Sequence, residues 1–426
     1  MKDDRPFLVS SSEANASDQS SVESTWRNVV KRRTFLHGLG AATAALPATA
    51  LFAAERDPDR DNHGLTRGDA AILRLAAAIE LIEADLWQQY NELGGAVDHN
   101  DNPNPGNPSY TAALANLDSD MPQYISDNTD DEISHAAFLN AYLESKGEEP
   151  VSFKAFQTIP PTKATGANQN LARITNLRAL NVDTSWYFRY RSTTNPDLGA
   201  QFPQLLDIKK QPAIPISDTD TDPNALVPLL QSLPITDPKA RRMQAIANTA
   251  GLHFAFIEQG GSSLYPILAL KATSLEVLRI LLSIGGVEID HFSLWHDKGG
   301  NAIAQPLAGP NGLTDPETGL TFPDFNNPAN QHNAKLSATD QAAGSQMFQT
   351  NLILPEPAQF LSQDLPPVSI IRPTLTRNGG AVATIQAFIA DNLFFGQKDP
   401  RFLETVFRLA READAARRDS DAEDGN

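Results

Sequence analysis

Hydrophobic residues along the chain form a few long runs with a helical period, and polar, proline-rich stretches separate these runs. The first run predicts a helix that begins near Thr66 or Asp69 and ends at Gly94-Gly95, because a glycine just past the last periodic residue is a common helix stop. Residues 71–87 are apolar nearly all the way round this helix, as is typical of a helix buried on every side.

Three more long helices are predicted. The second covers about residues 122–146, and the third covers 237–270, whose second residue is a proline that suits the first helical position. The fourth runs from the capping-box segment 273–276 through Trp295, with a stop at Gly299-Gly300. Four long helices and no convincing series of alternating strands favour an all-α bundle.

The other stretches of the mature chain are shorter or rich in Pro, Asn, Asp and Gly. They are predicted to comprise loop insertions at about 95–120 and 150–236, a helical piece at 171–191, a surface excursion at 195–234 and two short helices at 381–393 and 401–411. The predicted organisation is therefore a four-helix bundle over residues 65–300 with long insertions, followed by a loop-rich C-terminal extension over 301–426.

Residues 1–54 are predicted to be an export signal and not part of the fold. The segment Lys31–His37 (KRRTFLH) precedes an apolar stretch of small residues, 38–54, with Ala48-Thr49-Ala50 as a candidate cleavage site. The segment resembles a twin-arginine signal peptide, whose pattern is Ser/Thr-Arg-Arg-x-Phe-Leu-Lys, and departs from it at Lys31 and His37. An ordinary secretory signal or a retained anchor is the alternative.

This resemblance implies recognition by the twin-arginine export machinery and a periplasmic or extracellular location. The route exports proteins that are already folded, often with a metal already bound. The apolar stretch is too short and too rich in Ala and Gly for a stable membrane span, which needs about 20 strongly apolar residues. No stable span is therefore expected after cleavage.

Composition narrows the chemistry of any site. The net charge of −18 and the lack of a basic stripe in the mature region argue against a nucleic-acid partner. Cysteine is absent, which excludes disulfides, thiolate ligands and thiol nucleophiles together. A bound metal must therefore be held by Asp, Glu and His, the oxygen and nitrogen ligands that suit iron, manganese or zinc. A homo-oligomer is compatible with the sequence.

Carboxylates and histidines recur on the four long helices in a regular order. Glu-x-x-His occurs once on the second helix and once on the fourth, and residues three apart share a helix face. The first and third helices each offer a Glu inside an apolar run. In chain order, these candidate metal ligands are Glu80, Glu132, His135, Glu258, Glu288 and His291.

Buried carboxylates at these positions need a physical cause. An ionised carboxylate in an apolar interior costs several kcal/mol unless it is paired or bound to a metal. Four glutamates supply four negative charges, which balance the positive charges of two divalent ions, and two neutral imidazoles complete the set. The pattern therefore predicts a site for two metal ions.

Some of these residues have alternative interpretations. Glu83 is an alternate to Glu80, although Leu86-Trp87 after Glu80 and Leu264-Tyr265 after Glu258 stand at matching offsets, which favours Glu80.

Glu132 also stands three residues after Thr129, the spacing of a capping box, although Pro122 offers an earlier helix start. Four nearby residues are expected to be structural histidines or core aromatics, namely His253, His296, Trp87 and Tyr265.

At these motifs the sequence resembles the ferritin-like superfamily, and within it the exported ferritin-like and desiccation-associated proteins. Residues 80–87 are similar to that family's first-helix pattern Glu-x-x-Glu-Ala-x-x-aromatic, 131–139 to its second-helix Glu-x-x-His, and 143–151 to the turn that follows. The resemblance covers roughly residues 65–300. It implies that the six candidates are the metal ligands, with the bridging carboxylates on the two Glu-x-x-His helices.

The resemblance is compatible with three functions. The first is an oxidoreductase or metal-handling protein, in which two iron or two manganese ions react with oxygen or a peroxide. The second is a non-catalytic exported protein, in which the bundle serves stress protection or interaction. The third is cage-forming iron storage. It is the weaker candidate, because the Pro-rich insertions and the extension after Gly300 are hard to fit on a symmetric shell.

Overall fold

Helices account for most of the regular structure in the computed structural model, which describes residues 64–96, 106–186, 204–218, 225–304, 311–323, 364–366 and 379–418. They are α1 (Arg67–Gly94), α2 (Pro108–Ala115), α3 (Met121–Ser145), α4 (Val227–Leu230), α5 (Pro238–Ala269), α6 (Leu275–Ala304), α7 (Ala381–Ala390) and α8 (Pro400–Ala415). A short 3-10 helix spans Lys154–Phe156. The mostly helical architecture confirms the predicted all-α class. The predicted export signal lies outside the described residues.

The sheet content of the described residues is one antiparallel hairpin. It joins β1 (Leu313–Thr314) to β2 (Thr321–Phe322), with Leu313 opposite Phe322. Such a small sheet cannot form a layer of the core, so helix packing dominates the fold. Among the described helices, none has both the length and the apolarity needed to cross a membrane.

Side-chain caps mark the starts of two long helices. At the start of α1, Thr66 Oγ1 accepts a hydrogen bond from the Asp69 backbone N–H at 3.0 Å. At the start of α5, Asp237 Oδ1 accepts from the backbone N–H groups of Lys239 and Ala240 at 2.9 and 3.0 Å. The helices predicted from the first three hydrophobic runs are confirmed, because α1, α3 and α5 begin and end close to the predicted residues.

The last long helix, α6, is longer than predicted. Its backbone stays helical at Gly299-Gly300 and continues to Ala304, so the predicted stop is wrong. A glycine lowers helix stability by roughly 1 kcal/mol, and this cost alone does not end a helix.

The four long helices pack as two pairs, α1 against α3 and α5 against α6, and α1 also contacts α5. Gly285 allows the close approach of α5 and α6, because a Cβ at this position would lie 2.7 Å from Tyr265 Cβ. Hydrogen bonds to the Asp69 side chain connect the start of α1 with the start of α6. Its two carboxylate oxygens accept hydrogen bonds from the backbone N–H groups of Thr273 and Ser274, at 2.9 and 3.0 Å.

The helical piece predicted at 171–191 is wrong over residues 171–185, which form turns and extended connections. Their backbone donors are used by tertiary partners. Asp85 on α1 accepts hydrogen bonds from the backbone N–H groups of Ile174 and Thr175, at 3.1 and 2.9 Å. Because these donors are satisfied from outside the segment, long-range contacts override the apolar composition that suggested a helix.

The predicted loop insertions contain regular structure and core residues. α2 lies within 95–120 and is capped by Asn107, whose Oδ1 accepts from the Tyr110 backbone N–H at 3.1 Å. In the described part of the predicted surface excursion, 195–234, the side chains of Ile208 and Ile214 are buried and α4 forms. Proline-rich composition predicts an irregular backbone, but it does not predict exposure.

The C-terminal extension carries α7 and α8, which confirm the two predicted short helices. They pack against each other, and α8 also packs against α1. Asp414 on α8 accepts hydrogen bonds from the backbone N–H groups of Ala381 and Val382 at the start of α7, both at 2.9 Å. The extension is therefore joined to the first long helix through α8. The apolar run at 368–371 lies outside the described residues.

Candidate metal centre

The six residues predicted as metal ligands lie together among α1, α3, α5 and α6. They form two groups, and within each group the donor atoms lie within 4.8 Å of one another. The first group is Glu80, Glu132, His135 and Glu288, and the second is Glu132, Glu258, Glu288 and His291. All six residues are buried, and Glu132 and Glu288 belong to both groups.

Helix geometry explains how the sequence brings these groups together. Each Glu-x-x-His motif places its Glu and His one turn apart, on the same face of α3 or α6. α3 begins at Met121, so Glu132 lies well inside the helix and its capping-box interpretation is wrong. The Thr129 hydroxyl instead donates to the Ile125 carbonyl one turn earlier, at 2.7 Å.

His135 faces three carboxylates at short range. Its Nδ1 lies 3.3 Å from Glu80 Oε2 and 3.4 Å from Glu132 Oε2. It also lies 3.5 Å from Glu288 Oε1. Despite these distances, this nitrogen forms no hydrogen bond of acceptable geometry with the residues that the structure describes. Donor atoms that surround one ion, each about 2.1 Å from it, stand roughly 3 to 4 Å apart, so the spacing is that of a ligand set.

His291 makes the corresponding contacts in the second group. Its Nδ1 lies 3.2 Å from Glu132 Oε1 and 3.4 Å from Glu258 Oε2. Its other nitrogen, Nε2, donates to Asp131 Oδ2 at 3.1 Å. Histidines that bind metals usually donate the second ring N–H to a carboxylate or carbonyl, which fixes the tautomer and the ring orientation. Asp131 therefore leaves Nδ1 of His291 as the donor atom for a metal.

Several oxygen and nitrogen atoms of this cluster find no hydrogen-bond partner among the described residues. Each of the six residues has at least one buried oxygen or nitrogen without a hydrogen-bond partner among the described residues. Buried charged groups that lack a partner are strongly destabilising. Metal ions would accept these lone pairs and offset the charge, and carboxylate and imidazole donors suit several transition metals. The donor set therefore fits bound metal.

Burial and mutual repulsion change how the carboxylates titrate. Burial raises the pKa of Glu80 to about 8, and the charge of Glu132 adds to the shift. Burial also raises the pKa of Glu258 and of Glu288. Burial acts in the same direction on Glu132, but its contacts with the two imidazoles outweigh burial and lower its pKa.

The two imidazoles respond to the same neighbours. Burial lowers the pKa of His135 and of His291, but the surrounding carboxylates outweigh burial and raise both values. Without metal, protons on these rings therefore offset part of the negative charge. Metal binding must displace these protons, because a coordinating imidazole nitrogen is neutral.

Two neutral side chains donate hydrogen bonds to oxygens of the ligand glutamates. Asn128 Nδ2 donates to Glu132 Oε1 at 2.8 Å and to Glu258 Oε1 at 3.1 Å. The Tyr265 hydroxyl donates to Glu80 Oε1, so Tyr265 is more than the core aromatic that the sequence predicts. A signal for both exists in the sequence, because Asn128 precedes Glu132 by one turn and Tyr265 follows Glu258 by two.

Glu83 is a fifth buried carboxylate of this region. It lies one turn after Glu80 on α1, and neither of its oxygens has a hydrogen-bond partner among the described residues. It belongs to neither donor group, whereas Glu80 does, so the geometry favours Glu80 over its alternate. Burial, together with the charge of Glu288, raises the pKa of Glu83 well above its ordinary value, which favours its neutral form.

The two histidines off the repeat belong to neither donor group of the described residues. His253 lies between the Tyr90 hydroxyl and the Asp391 carboxylate, with both distances 2.9 Å. His296 packs edge-on against the ring of Trp186 at a centroid distance of 5.3 Å. These contacts agree with the structural roles expected for both histidines.

Gly261 on α5 leaves the space that the Glu288 carboxylate occupies. A Cβ at position 261 would overlap that carboxylate, whereas a Cβ at Gly260 would meet nothing within 4 Å. We expect Gly261→Ala to displace Glu288 and weaken divalent-metal binding about tenfold or more. Gly260→Ala should leave binding unchanged and stabilise the helix by roughly 1 kcal/mol. Calorimetric titration of both metal-free variants with Mn²⁺ measures the difference, and equal affinities would contradict the position of Glu288.

Comparisons with known proteins give no match, because no family model fits the chain and neither a curated protein nor a solved structure is similar enough to it. The chemistry of the site therefore has to be inferred from its own donor atoms, their burial and their neighbours.

Proposed function

We propose that the chain is an exported ferritin-like protein that binds a carboxylate-bridged pair of iron or manganese ions. The observation that carries the proposal is that the two donor groups share Glu132 and Glu288. A carboxylate has two oxygens, so a residue common to both groups could supply one oxygen to each of two neighbouring ions. The bridging pair then comes from α3 and α6, the helices with the Glu-x-x-His motifs.

The distribution of the donors over the helices supports the ferritin-like part of the proposal. α1 and α5 each give one Glu, and α3 and α6 each give a Glu-x-x-His pair. That combination is the donor pattern of ferritin-like carboxylate proteins with two iron or manganese ions in a four-helix bundle. The pairing of α1 with α3 and of α5 with α6 is compatible with such a bundle.

Charge supports two divalent ions and not one. Four ionised glutamates supply four negative charges and two neutral imidazoles supply none, so two divalent ions give a neutral centre. A neutral centre avoids much of the desolvation cost that a net charge has in an apolar interior. Oxygen and nitrogen donors without sulfur suit iron and manganese, and the absence of cysteine argues against metals selected by thiolates.

The bound ions would supply one-electron redox chemistry toward dioxygen or a peroxide. The chain contributes position, hydrogen bonds and exclusion of water. Asp131 orients the His291 ring, and Tyr265 orients Glu80. Burial raises the pKa of the Tyr265 phenol well above its ordinary value, so the residue keeps its proton and donates a hydrogen bond to the carboxylate. We therefore propose oxidation chemistry at a buried site.

Export by the twin-arginine route is part of this proposal. It rests on the segment Lys31–His37, which lies outside the described residues. The route carries folded proteins, so metal can enter the donor groups before export. Metal bound before export would be retained on the way, because all six donors are buried.

Metal titration tests the proposal. Metal-free protein should bind about two equivalents of Mn²⁺, or of Fe²⁺ without oxygen, because each donor group can hold one ion. Elemental analysis after gel filtration gives the ratio of metal to protein. A ratio near zero would contradict the proposal, as would an unchanged ratio in the double variant Glu132→Ala/Glu288→Ala.

A further inference from the structure

A buried tyrosine, histidine and aspartate form a hydrogen-bonded chain in the core, outside the donor groups. The Tyr90 phenol oxygen lies 2.9 Å from His253 Nδ1, and His253 Nε2 lies 2.9 Å from Asp391 Oδ2. A carboxylate accepts hydrogen bonds, so Nε2 carries the proton and Nδ1 accepts from the Tyr90 hydroxyl. All three side chains are buried. The phenol is therefore paired with a base that a third group orients.

Ring contacts connect Tyr90 to the candidate metal centre. The ring centroid of Tyr90 lies 5.7 Å from that of Trp87, which stacks on Trp295 at 5.4 Å. The Trp295 indole N–H donates to Asn128 Oδ1 at 2.6 Å, and Asn128 donates to Glu132, one of the shared ligands. An unbroken series of contacts thus leads from a ligand through two indoles to the phenol.

The hydrogen-bonded series Tyr90–His253–Asp391 ends at a surface cavity, which Asp391 helps to line. The cavity has a volume of about 220 Å³, and its lining includes Asn181, Asp183, Asp207, Lys209, Phe256 and Asp391. Asp391 Oδ1 has no hydrogen-bond partner among the described residues, while Oδ2 holds His253. A small molecule in this cavity is therefore separated from Tyr90 by two side chains.

The three oxidisable rings differ in whether a base can take their proton. Trp87 Nε1 has no hydrogen-bond partner among the described residues, and Trp295 Nε1 is bonded to an amide oxygen, which is a poor base. The Tyr90 hydroxyl is bonded to an imidazole nitrogen, whose lone pair accepts a proton far more readily than an amide oxygen does. Loss of an electron makes a phenol strongly acidic. Oxidation of either indole should therefore be transient, and Tyr90 should hold the stable radical.

We infer that Trp295, Trp87 and Tyr90, with the base His253 and its partner Asp391, form an electron-transfer route between the metal centre and the cavity. The inference rests on the proposed function, because the oxidant is the iron or manganese centre after it has reacted with dioxygen or a peroxide. It adds a route by which oxidising equivalents leave the buried site without a substrate entering it.

The transfer balances in electrons and protons. One electron moves from the Tyr90 phenol to the Trp87 radical cation, which becomes a neutral indole again. The phenol O–H bond breaks, and the proton forms an N–H bond at His253 Nδ1. Tyr90 is left as a neutral radical, and the Asp391 carboxylate balances the imidazolium. Burial raises the pKa of Asp391 to about 6, so the carboxylate is ionised at neutral pH.

The cavity indicates which reductant returns the electron. Asp183, Asp207 and Asp391 give it a negative lining, while Lys209 is paired with Asp207 at 2.9 Å. Anionic reductants are repelled by this lining, so a small neutral or cationic one-electron donor, such as a hydroquinone, fits best. The donor supplies one electron to the tyrosyl radical, and the proton returns from His253 to the phenol oxygen.

The first experiment places an oxidant at the cavity in metal-free protein. Because the chain has no cysteine, Lys209→Cys gives a single attachment point for a ruthenium photo-oxidant. A light flash then withdraws one electron from the protein, and electron paramagnetic resonance detects the radical. We expect a tyrosyl signal that Tyr90→Phe lowers by most of its intensity, since phenylalanine keeps the ring but has no oxidisable hydroxyl.

Two further variants make the result specific. Tyr110 is a buried tyrosine whose hydroxyl donates to the Ala213 carbonyl, which is not a base, so Tyr110→Phe should leave the signal unchanged. His253→Gln should lower it several-fold while Tyr90 itself is retained. A signal that survives both Tyr90→Phe and His253→Gln, or that disappears in Tyr110→Phe, overturns the inference.

The second experiment tests the link to the metal centre. Protein that has been shown to contain metal is treated with hydrogen peroxide and frozen, and the radical is quantified. We expect a tyrosyl radical that is absent from Tyr90→Phe and reduced in Trp87→Leu, which breaks the ring contacts. No radical in loaded protein overturns the route, whereas failure to bind metal in the titration overturns the proposed function. The two failures are therefore distinguishable.

Discussion

Glu288→Ala is expected to lose about half or more of the bound metal, and His291→Ala is expected to do the same. Glu288 belongs to both donor groups, so its removal takes a ligand from each ion at once. His291 supplies the nitrogen of the second group, and alanine leaves no donor at its position. Elemental analysis of protein freed from unbound ions measures the metal content per chain.

Asp290→Ala is the matched control for both variants. Asp290 lies on α6 between the two ligands, but its side chain is exposed. Its metal content should equal that of the wild type. Wild-type metal content in both Glu288→Ala and His291→Ala would show that the ligand assignment is wrong. Metal loss in Asp290→Ala as well would mean that damage to α6, and not removal of a ligand, explains the result.

Replacing the four ligand glutamates with glutamine should leave the metal-free protein at least as stable as metal-free wild type. The variant carries Gln at positions 80, 132, 258 and 288. Repulsion among the carboxylates disappears, while the side-chain volume and the hydrogen-bonding capacity of an amide remain. The same variant should gain no stability from added metal, because an amide oxygen is a much weaker ligand than a carboxylate. Thermal unfolding with and without Mn²⁺ measures both effects.

The pH dependence of this stability follows from the direction of the pKa shifts. Glu80 has its pKa raised from 4.5 to about 8 in the folded chain. Its contribution to stability is therefore present below about pH 4.5 and is lost as the pH rises through about 8. Glu258 and Glu288 are shifted in the same direction.

The other titrating groups do not reverse this trend. Glu132 has a lowered pKa, so its contribution is present above its ordinary range and is lost only in acid. The two histidines have raised pKa values, and their contribution is lost only as the pH rises through those values. Metal-free wild type should thus lose stability, on the order of a few kcal/mol, between about pH 5 and about pH 8.

Wild type with metal and the fourfold Gln variant should both show a smaller loss over this pH range. Unfolding curves at about pH 5 and about pH 8 for the three samples test this expectation. If metal-free wild type is clearly more stable than the Gln variant at the higher pH, the glutamates act as separate structural groups and the shared site is abandoned.

The sequence predicts the site better than it predicts the connections. Two Glu-x-x-His motifs on periodic apolar runs define a helix face, and helix geometry needs no tertiary information to bring Glu132 close to His135. The apolar surroundings of Glu80 and Glu258 give a strong reason for pairing, because a lone buried charge is unstable. These local and electrostatic constraints are enough to select the six residues that the structure brings together.

The misses depend on contacts between residues far apart in sequence. The segment 171–185 is apolar enough for a helix, but Asp85 on a distant helix binds its backbone donors. The spacing of Tyr265 from Glu258 places both on one helix face, but the hydrogen bond of Tyr265 to Glu80 also depends on how closely α5 approaches α1. The passage of α6 through Gly299-Gly300 shows that helix stops are similarly set by context.

Anomalous X-ray diffraction from crystals of metal-loaded protein tests the central claim most directly, because it locates each ion relative to its ligands. We predict two peaks at the iron or manganese absorption edge. One should lie among Glu80, Glu132, His135 and Glu288, and the other among Glu132, Glu258, Glu288 and His291. Both peaks should contact the carboxylates of the two shared residues. A single peak, peaks outside these two groups, or no peak in metal-loaded crystals would contradict the bridged pair.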